Sequence, residues 1–217
     1  MNYPAMDYKE LFSMVENGMD YAKYINITDC LKAEDYYKTD THWRQEKIKA
    51  VADKLAKGLG IQDYLSKSYE EISSDTPLYG VYYGQTALPL QSEAIKYLTN
   101  QIIKECVVYN YETDKEMPVY DHDKLLGNDP YDIFLSGATA LLTVTNPNAI
   151  SDKELILFRD SFGGSLAPLL LEGYAKITLV DIRYIRSDIL ENYIDFDNQD
   201  VLFLYSTLLL NDSFSLK

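Results

Sequence analysis

Histidine and tryptophan are almost missing from this chain of 217 residues, which has two of the first and one of the second. Any imidazole chemistry must therefore run through His42 or His122, and a histidine-rich metal cluster is excluded. Cysteine is equally scarce. Cys30 and Cys106 lie far apart with no CxxC spacing, which argues against a zinc or redox motif and leaves room for one disulfide. Positive charge is in short supply too, with 20 Lys and Arg against 34 Asp and Glu, a net charge of -14 and a pI near 4.5. Such a chain repels phosphate backbones and anionic lipid, so a nucleic-acid partner is not expected. No apolar run approaches a membrane span, and the start "MNYPAMDYKELF" lacks the basic region and apolar core of a signal peptide. Taken by itself the sequence reads as cytoplasmic, and membrane attachment would need an anchor outside it. Internal repeats and low-complexity tracts are also lacking.

What is present is the composition of a folded protein, 47% hydrophobic and 25% charged, with enough length for one sizeable core. Leu11, Met14, Val15 and Met19 recur at near-helical spacing, with Gly18 close to the end, and "YAKYINI" reads as a short strand. Ile48, Val51, Ala52, Leu55 and Leu59 predict a helix that the glycines of "KGLG" terminate. Residues 63–130 change character. Tyrosines, prolines and turn residues crowd "TPLYGVYYGQTALPLQ", a helix is expected over 92–104, and "CVVYNYETDKEMPVYDHD" alternates like a hairpin, so this stretch reads as an insertion or lid. Beyond it the apolar runs "LLTVT", "ELILF", "KITLV" and "DVLFLYS" predict a buried, mainly parallel sheet with crossover helices. The expected fold is a single α/β domain over 1–217, a three-layer αβα sandwich.

The stretch "ELILFRDSFGGSLAPLLLEGY" passes from a buried strand through a sharp turn into a helix, with Ser161 on the turn. Open α/β sheets put reacting groups at the carboxyl ends of their strands. Pro168 suits a first helical turn, so the regular helix is expected to start near Ser165, leaving "SFGG" irregular with free amides at Ser161, Phe162 and Gly163. Those amides would suit an oxyanion. The plainer alternative is that Asp160 and Ser161 merely cap the helix.

A serine hydroxyl needs a base beside it, and histidine suits the task. His122 lies between Asp121 and Asp123 in "YDHDK", where a solvated turn is the simpler interpretation and no second histidine or cysteine is near. His42 lies in "KTDTHW". In an extended stretch residues two apart face the same way, so Asp40 and His42 would point together and Thr41 away. Asp40 could then hold Nδ1–H and leave Nε2 free for Ser161. Against this stands a capping role for Thr39, Asp40 and Thr41.

"YYKTDTHWRQEKIKAVADKL", "GVYYGQTALP", "YDIFLSG" and "LILFRDSFGGSLAPLLLEGYAKITLVDIRY", taken in order, resemble the bacterial DHHW proteins, relatives of the SGNH-hydrolase-like domains of alginate O-acetylation proteins, over about residues 20–211. Thr41 stands where the family name implies a histidine. The resemblance implies an SGNH-hydrolase-like fold, Ser161 as nucleophile with Asp40 and His42, and an acetyl ester as substrate. It also implies Gly137 of "FLSG" as a further oxyanion donor, while no asparagine stands out for that task. It implies an extracytoplasmic or cell-surface setting, an acylated carbohydrate or acyl donor as partner, and no cofactor or metal. Trp43 and the 20 tyrosines are compatible with stacking on sugars. Two other functions stay open: a carbohydrate-binding or scaffolding module without turnover, and a metal-dependent hydrolase built from Asp40, His42 and the His122 stretch.

Overall fold

The computed structural model describes residues 5–86 and 89–216. Residues 1–4 of the N-terminal stretch, residues 87–88 within the expected lid, and Lys217 lie outside it.

The elements run α1 (Tyr8–Gly18), α2 (Lys49–Leu59), β1 (Glu70–Leu78), α3 (Val81–Thr86), β2 (Glu93–Thr99), α4 (Gln101–Glu105), β3 (Val107–Asn110) and β4 (Lys115–Pro118). They continue with β5 (Leu141–Thr145), β6 (Glu154–Arg159), α5 (Ser161–Leu166), β7 (Lys176–Val180), β8 (Asp200–Leu204) and α6 (Thr207–Asn211). Several 3-10 turns link them.

The main sheet has six strands in the order β4-β3-β5-β7-β6-β8. It is mixed rather than mainly parallel. β6 runs parallel to β7 and β8, whereas β5 is antiparallel to both β7 and β3, and β3 to β4. The reason is physical. A continuous apolar run reports burial on both faces and says nothing of direction, and β5 is covered on both faces although antiparallel. Leu142 and Val144 join the large core with α2 residues Val51, Leu55 and Ala56. Leu141, Ile156 and Val180 point the other way, into a small cluster with Leu190 and Ile194.

α1 and α2 form as their spacing predicts, and α2 ends on Gly60, whose φ of +71° lets its amide reach Ala56 O and Lys57 O. The "YAKYINI" stretch forms no strand. Ile25 and Ile27 pack on the core individually. Where a helix was expected over 92–104, β2 pairs antiparallel with β1 in a separate two-stranded sheet and only Gln101–Glu105 is helical. The predicted hairpin is β3 and β4, which extend the main sheet. Cys30 and Cys106 are both free, and burial pushes the Cys106 thiol up to about 12. Among the described residues no helix is long and apolar enough to cross a membrane.

Candidate active site

Ser161 is the first residue of α5, at the carboxyl end of β6. Asp160 caps that helix: its Oδ1 accepts from Phe162 N at 3.0 Å, and its Oδ2 accepts from Ser206 N at 2.7 Å, tying the ends of β6 and β8 together. The helix therefore starts at Ser161 and not near Ser165. Pro168 is accommodated because the chain tightens into a 3-10 helix, Ala167–Gly173, with the proline in its first turn. A Cβ on Gly163 would come within 2.4 Å of Arg159 Cβ, so glycine lets α5 pack this closely onto the strand it follows.

His42 comes to Ser161 from 119 residues away, with its Nε2 2.8 Å from Ser161 Oγ and its Nδ1 2.5 Å from Asp40 Oδ1. Asp40 and His42 do not meet by strand alternation. The Asp40 carboxylate also accepts from the His42 backbone N at 3.0 Å, an Asx-type turn that folds the imidazole onto its own partner. Nor does this stretch cap α2, whose N-cap is Ile48. Asp40 Oδ2 instead accepts from Val81 N at 3.0 Å and Thr39 Oγ1 from Gly80 N at 3.2 Å. Gly80 is packed so tightly on this loop that a Cβ there would lie 2.3 Å from Asp40 Cβ.

Burial alone would raise the Asp40 carboxyl, but bonds from the His42 ring and backbone and from Val81 N outweigh it and bring the group to about 2. A carboxyl depressed in the folded state stabilises the fold above its unfolded value and loses that contribution as pH falls through the folded one. Wild type is therefore expected to lose on the order of 2 kcal/mol from this group between about pH 5 and about pH 2. Urea unfolding across that range should show a flatter profile for Asp40→Asn, and equal slopes would contradict the assignment.

Other expected site residues are placed differently. The Phe162 amide is taken by Asp160 Oδ1, the Gly163 amide by Asp160 O at 3.1 Å and the Gly137 amide by Phe134 O at 3.1 Å. None of these three is an open donor. Trp43 is 3% exposed and cannot stack on a sugar; its Nε1 donates to Ser165 Oγ at 2.7 Å. His122 meets Tyr97 OH at 3.3 Å, and the described residues contain no group of three His, Cys, Asp or Glu that could hold a metal ion. Asp40, His42 and the His122 stretch thus form no common ligand set.

Several contributors have no local signature in the sequence. The Tyr131 ring lies flat on the imidazole, centroids 4.0 Å apart and 13° between planes, with its hydroxyl donating to Ser165 Oγ at 2.7 Å. Ser165 Oγ in turn donates to Phe162 O at 3.3 Å, so one hydroxyl joins neighbours of both His42 and Ser161. Glu93 accepts from Lys38 N at 2.7 Å and Thr39 N at 3.2 Å and pairs with Arg44, clamping the loop that carries Asp40. The buried Gln45, two residues after Trp43, donates to Ser165 O and accepts from Leu98 N, both at 2.7 Å.

His42 and Ser161 open on a cavity of about 160 Å³ whose wall includes Asp129, Asp132, Arg183 and Tyr184. Gly137 of the wall ends the turn Leu135, Ser136, Gly137, with φ of +56°, +58° and +81°. Left-handed leucine and serine are uncommon, and such backbone is retained where its surroundings fix it. Here Leu135 N donates to Val119 O at 3.0 Å, Ser136 Oγ bonds Asp121, and Arg159 Nη2 reaches Gly137 O at 3.3 Å. A larger cavity of about 510 Å³ between α2 and the turn after it is lined by lysines and aspartates and contains none of these groups.

A DHHW family protein from Eubacterium siraeum superposes on 94% of this chain and 71% of its own, with a TM-score of 0.75 at 18% identity. The two share a fold. Bacillus cereus PatB1 is similar in fold as well: its structure with a sulfonyl adduct gives a TM-score of 0.61 at 19% identity, over 84% of this chain and 62% of PatB1. A second PatB1 structure gives 0.59 over 84% and 64%. This chain thus spans less than two thirds of PatB1. No family model and no curated protein sequence matches it.

Proposed function

We propose that this chain is a serine-dependent acyl ester transferase or esterase, acting on acetyl groups of a cell-surface polysaccharide. The approach of His42 Nε2 to 2.8 Å from Ser161 Oγ, with Asp40 behind the ring, carries the proposal. Ser161 Oγ attacks the ester carbonyl while His42 Nε2 takes its proton, and Asp40 holds Nδ1–H and balances the charge forming on the ring. The carbonyl oxygen becomes the oxyanion. Its donors in this reading are the amides of Ser161 and Ala138, two residues of the cavity wall whose N–H groups make no hydrogen bond among the described residues, in place of those of Phe162, Gly163 and Gly137. Collapse breaks the ester C–O bond, the leaving alcohol takes the proton from His42, and acetyl-Ser161 remains. Water or a glycan hydroxyl, deprotonated by the same imidazole, then receives the acetyl group.

A cavity of about 160 Å³ fits a small acyl group, since one of about 150 Å³ just holds benzene. PatB1, with the same fold, carries a sulfonyl adduct, which fits a nucleophile in this architecture. The proposal includes a single SGNH-hydrolase-like domain with an αβα layering, its second layer reduced to the short elements over Leu190 and Ile194, and an extracytoplasmic setting.

A second function, a glycan-binding module without turnover, is favoured by the engaged amides of Phe162 and Gly163. Labelling separates the two. A sulfonyl fluoride or phosphonate reagent is expected to modify Ser161, located by peptide mass spectrometry, and wild type is expected to release acetate from 4-nitrophenyl acetate. Absence of both in a folded protein would leave the module.

A further inference from the structure

Resting on that proposed function, we infer that Tyr184 and Arg183 form a sugar-binding platform at the mouth of the Ser161 cavity, which takes an uncharged pyranose ring of the glycan. The cavity is too small for more than the acyl group and part of one ring, so the rest of a polysaccharide must lie across the rim. Of the aromatic rings that line it, Tyr131 and Phe134 are 4% and 1% exposed, whereas Tyr184 is 52% exposed. A half-exposed phenol ring at a cavity rim offers an apolar face beside a polar edge, which suits the C–H face and hydroxyls of a sugar.

Its position is anchored through the backbone and one ring face. Its amide donates to Asp181 O at 3.0 Å, closing a turn at the end of β7, and the Arg183 guanidinium lies 5.2 Å from its centroid. Arg183 is itself fixed, with Nε and Nη2 bonded to the two oxygens of the fully buried Asp181 at 2.8 and 2.6 Å. One face of the ring is thereby covered by a fixed cation, and the remainder stays open. A ring with one face already packed has less freedom to lose when a ligand lands on the other.

The polar groups around it suit hydroxyls. Arg183 Nη1 and the Asp132 carboxylate have no hydrogen-bond partner among the described residues, and Asp129 lies on the same wall. Burial, then the charge of Asp129, raises the Asp132 carboxyl. These groups provide hydroxyl acceptors and a guanidinium donor on one cavity wall, and the two acids disfavour an anionic sugar.

The test uses binding, which does not depend on the serine chemistry. On Ser161→Ala protein, cello-, xylo- and manno-oligosaccharides are titrated by NMR. At least one is expected to bind, Tyr184→Ala to weaken it about tenfold, and Tyr184→Phe to restore it to within about threefold. No binding by any of the three, or equal binding with and without the ring, overturns the inference. Failure of Ser161 labelling with binding intact would instead remove the catalytic proposal alone.

Discussion

His42→Ala is expected to lower the turnover of 4-nitrophenyl acetate by at least about 10,000-fold, and Ser161→Ala to do the same, with the double variant no slower than either single one. In the proposed reaction the imidazole and the hydroxyl act in one step: without the base the hydroxyl stays a weak nucleophile, and without the hydroxyl the base has no proton to take. Once either is gone the other contributes nothing further. Steady-state kinetics on the three variants, with circular dichroism to confirm folding, decides the matter. Losses that multiply in the double variant would mean that the two groups act independently, and the 2.8 Å contact would then be structural. The His42 side chain is 12% exposed and stacked on Tyr131, so its removal leaves a gap at the cavity rim rather than deep in the core.

The parts of this site that were legible in the sequence are those whose chemistry is local. A serine just past a buried apolar strand announces its position at a sheet end, and an aspartate two residues before a histidine can reach it in more than one backbone conformation. The expected alternation was the wrong conformation, yet it brought the right atoms together, because the Asx-type turn also directs Asp40 at the ring. The free amides were not legible. Whether Phe162 N is open depends on how Asp160 turns, and the carboxylate that reaches across to Ser206 also consumes that donor.

Remote supports were hidden for the same reason. Tyr131, Glu93 and Gly80 act on His42 and Asp40 from elements far away in the chain, and a tyrosine that stacks on a histidine looks like any of the other tyrosines here. At the level of the fold, the four late strands were plain because apolar β-type runs report burial. Their directions were not, because parallel and antiparallel strands buried on both faces carry the same pattern. β2 reads as a helix in sequence because its buried positions, Ile95, Tyr97, Leu98 and Thr99, break strict alternation. Its hydrogen bonding depends on β1, which local periodicity does not register.

The largest expected loss of stability comes from Asp181. It is fully buried, lies 3.8 Å from the Nη1 of Arg159, itself only 1% exposed, and binds Arg183 through both oxygens. Burial lowers the pKa of Arg159 and the charge of Asp181 works against that, so the two ions make each other tolerable. Asp181→Ala would leave a guanidinium buried without its principal counter-charge, which costs about 3–5 kcal/mol, a large share of the ~5–15 kcal/mol that holds a domain together. Urea unfolding measures it directly. The pair is not ideally satisfied, since Arg159 Nε is buried with no hydrogen-bond partner among the described residues, so an apolar replacement of both ions should be tolerated better than removal of one. Asp181→Ala combined with Arg159→Met is therefore expected to recover part of the lost stability, the bonds from Arg183 staying lost. It should not recover ester turnover, because Arg159 Nη2 also bonds Gly137 O and Thr139 O, both at 3.3 Å, and so holds the left-handed turn that walls the Ser161 cavity. Stability and turnover recovering together would mean that this ion pair has no part in shaping the site.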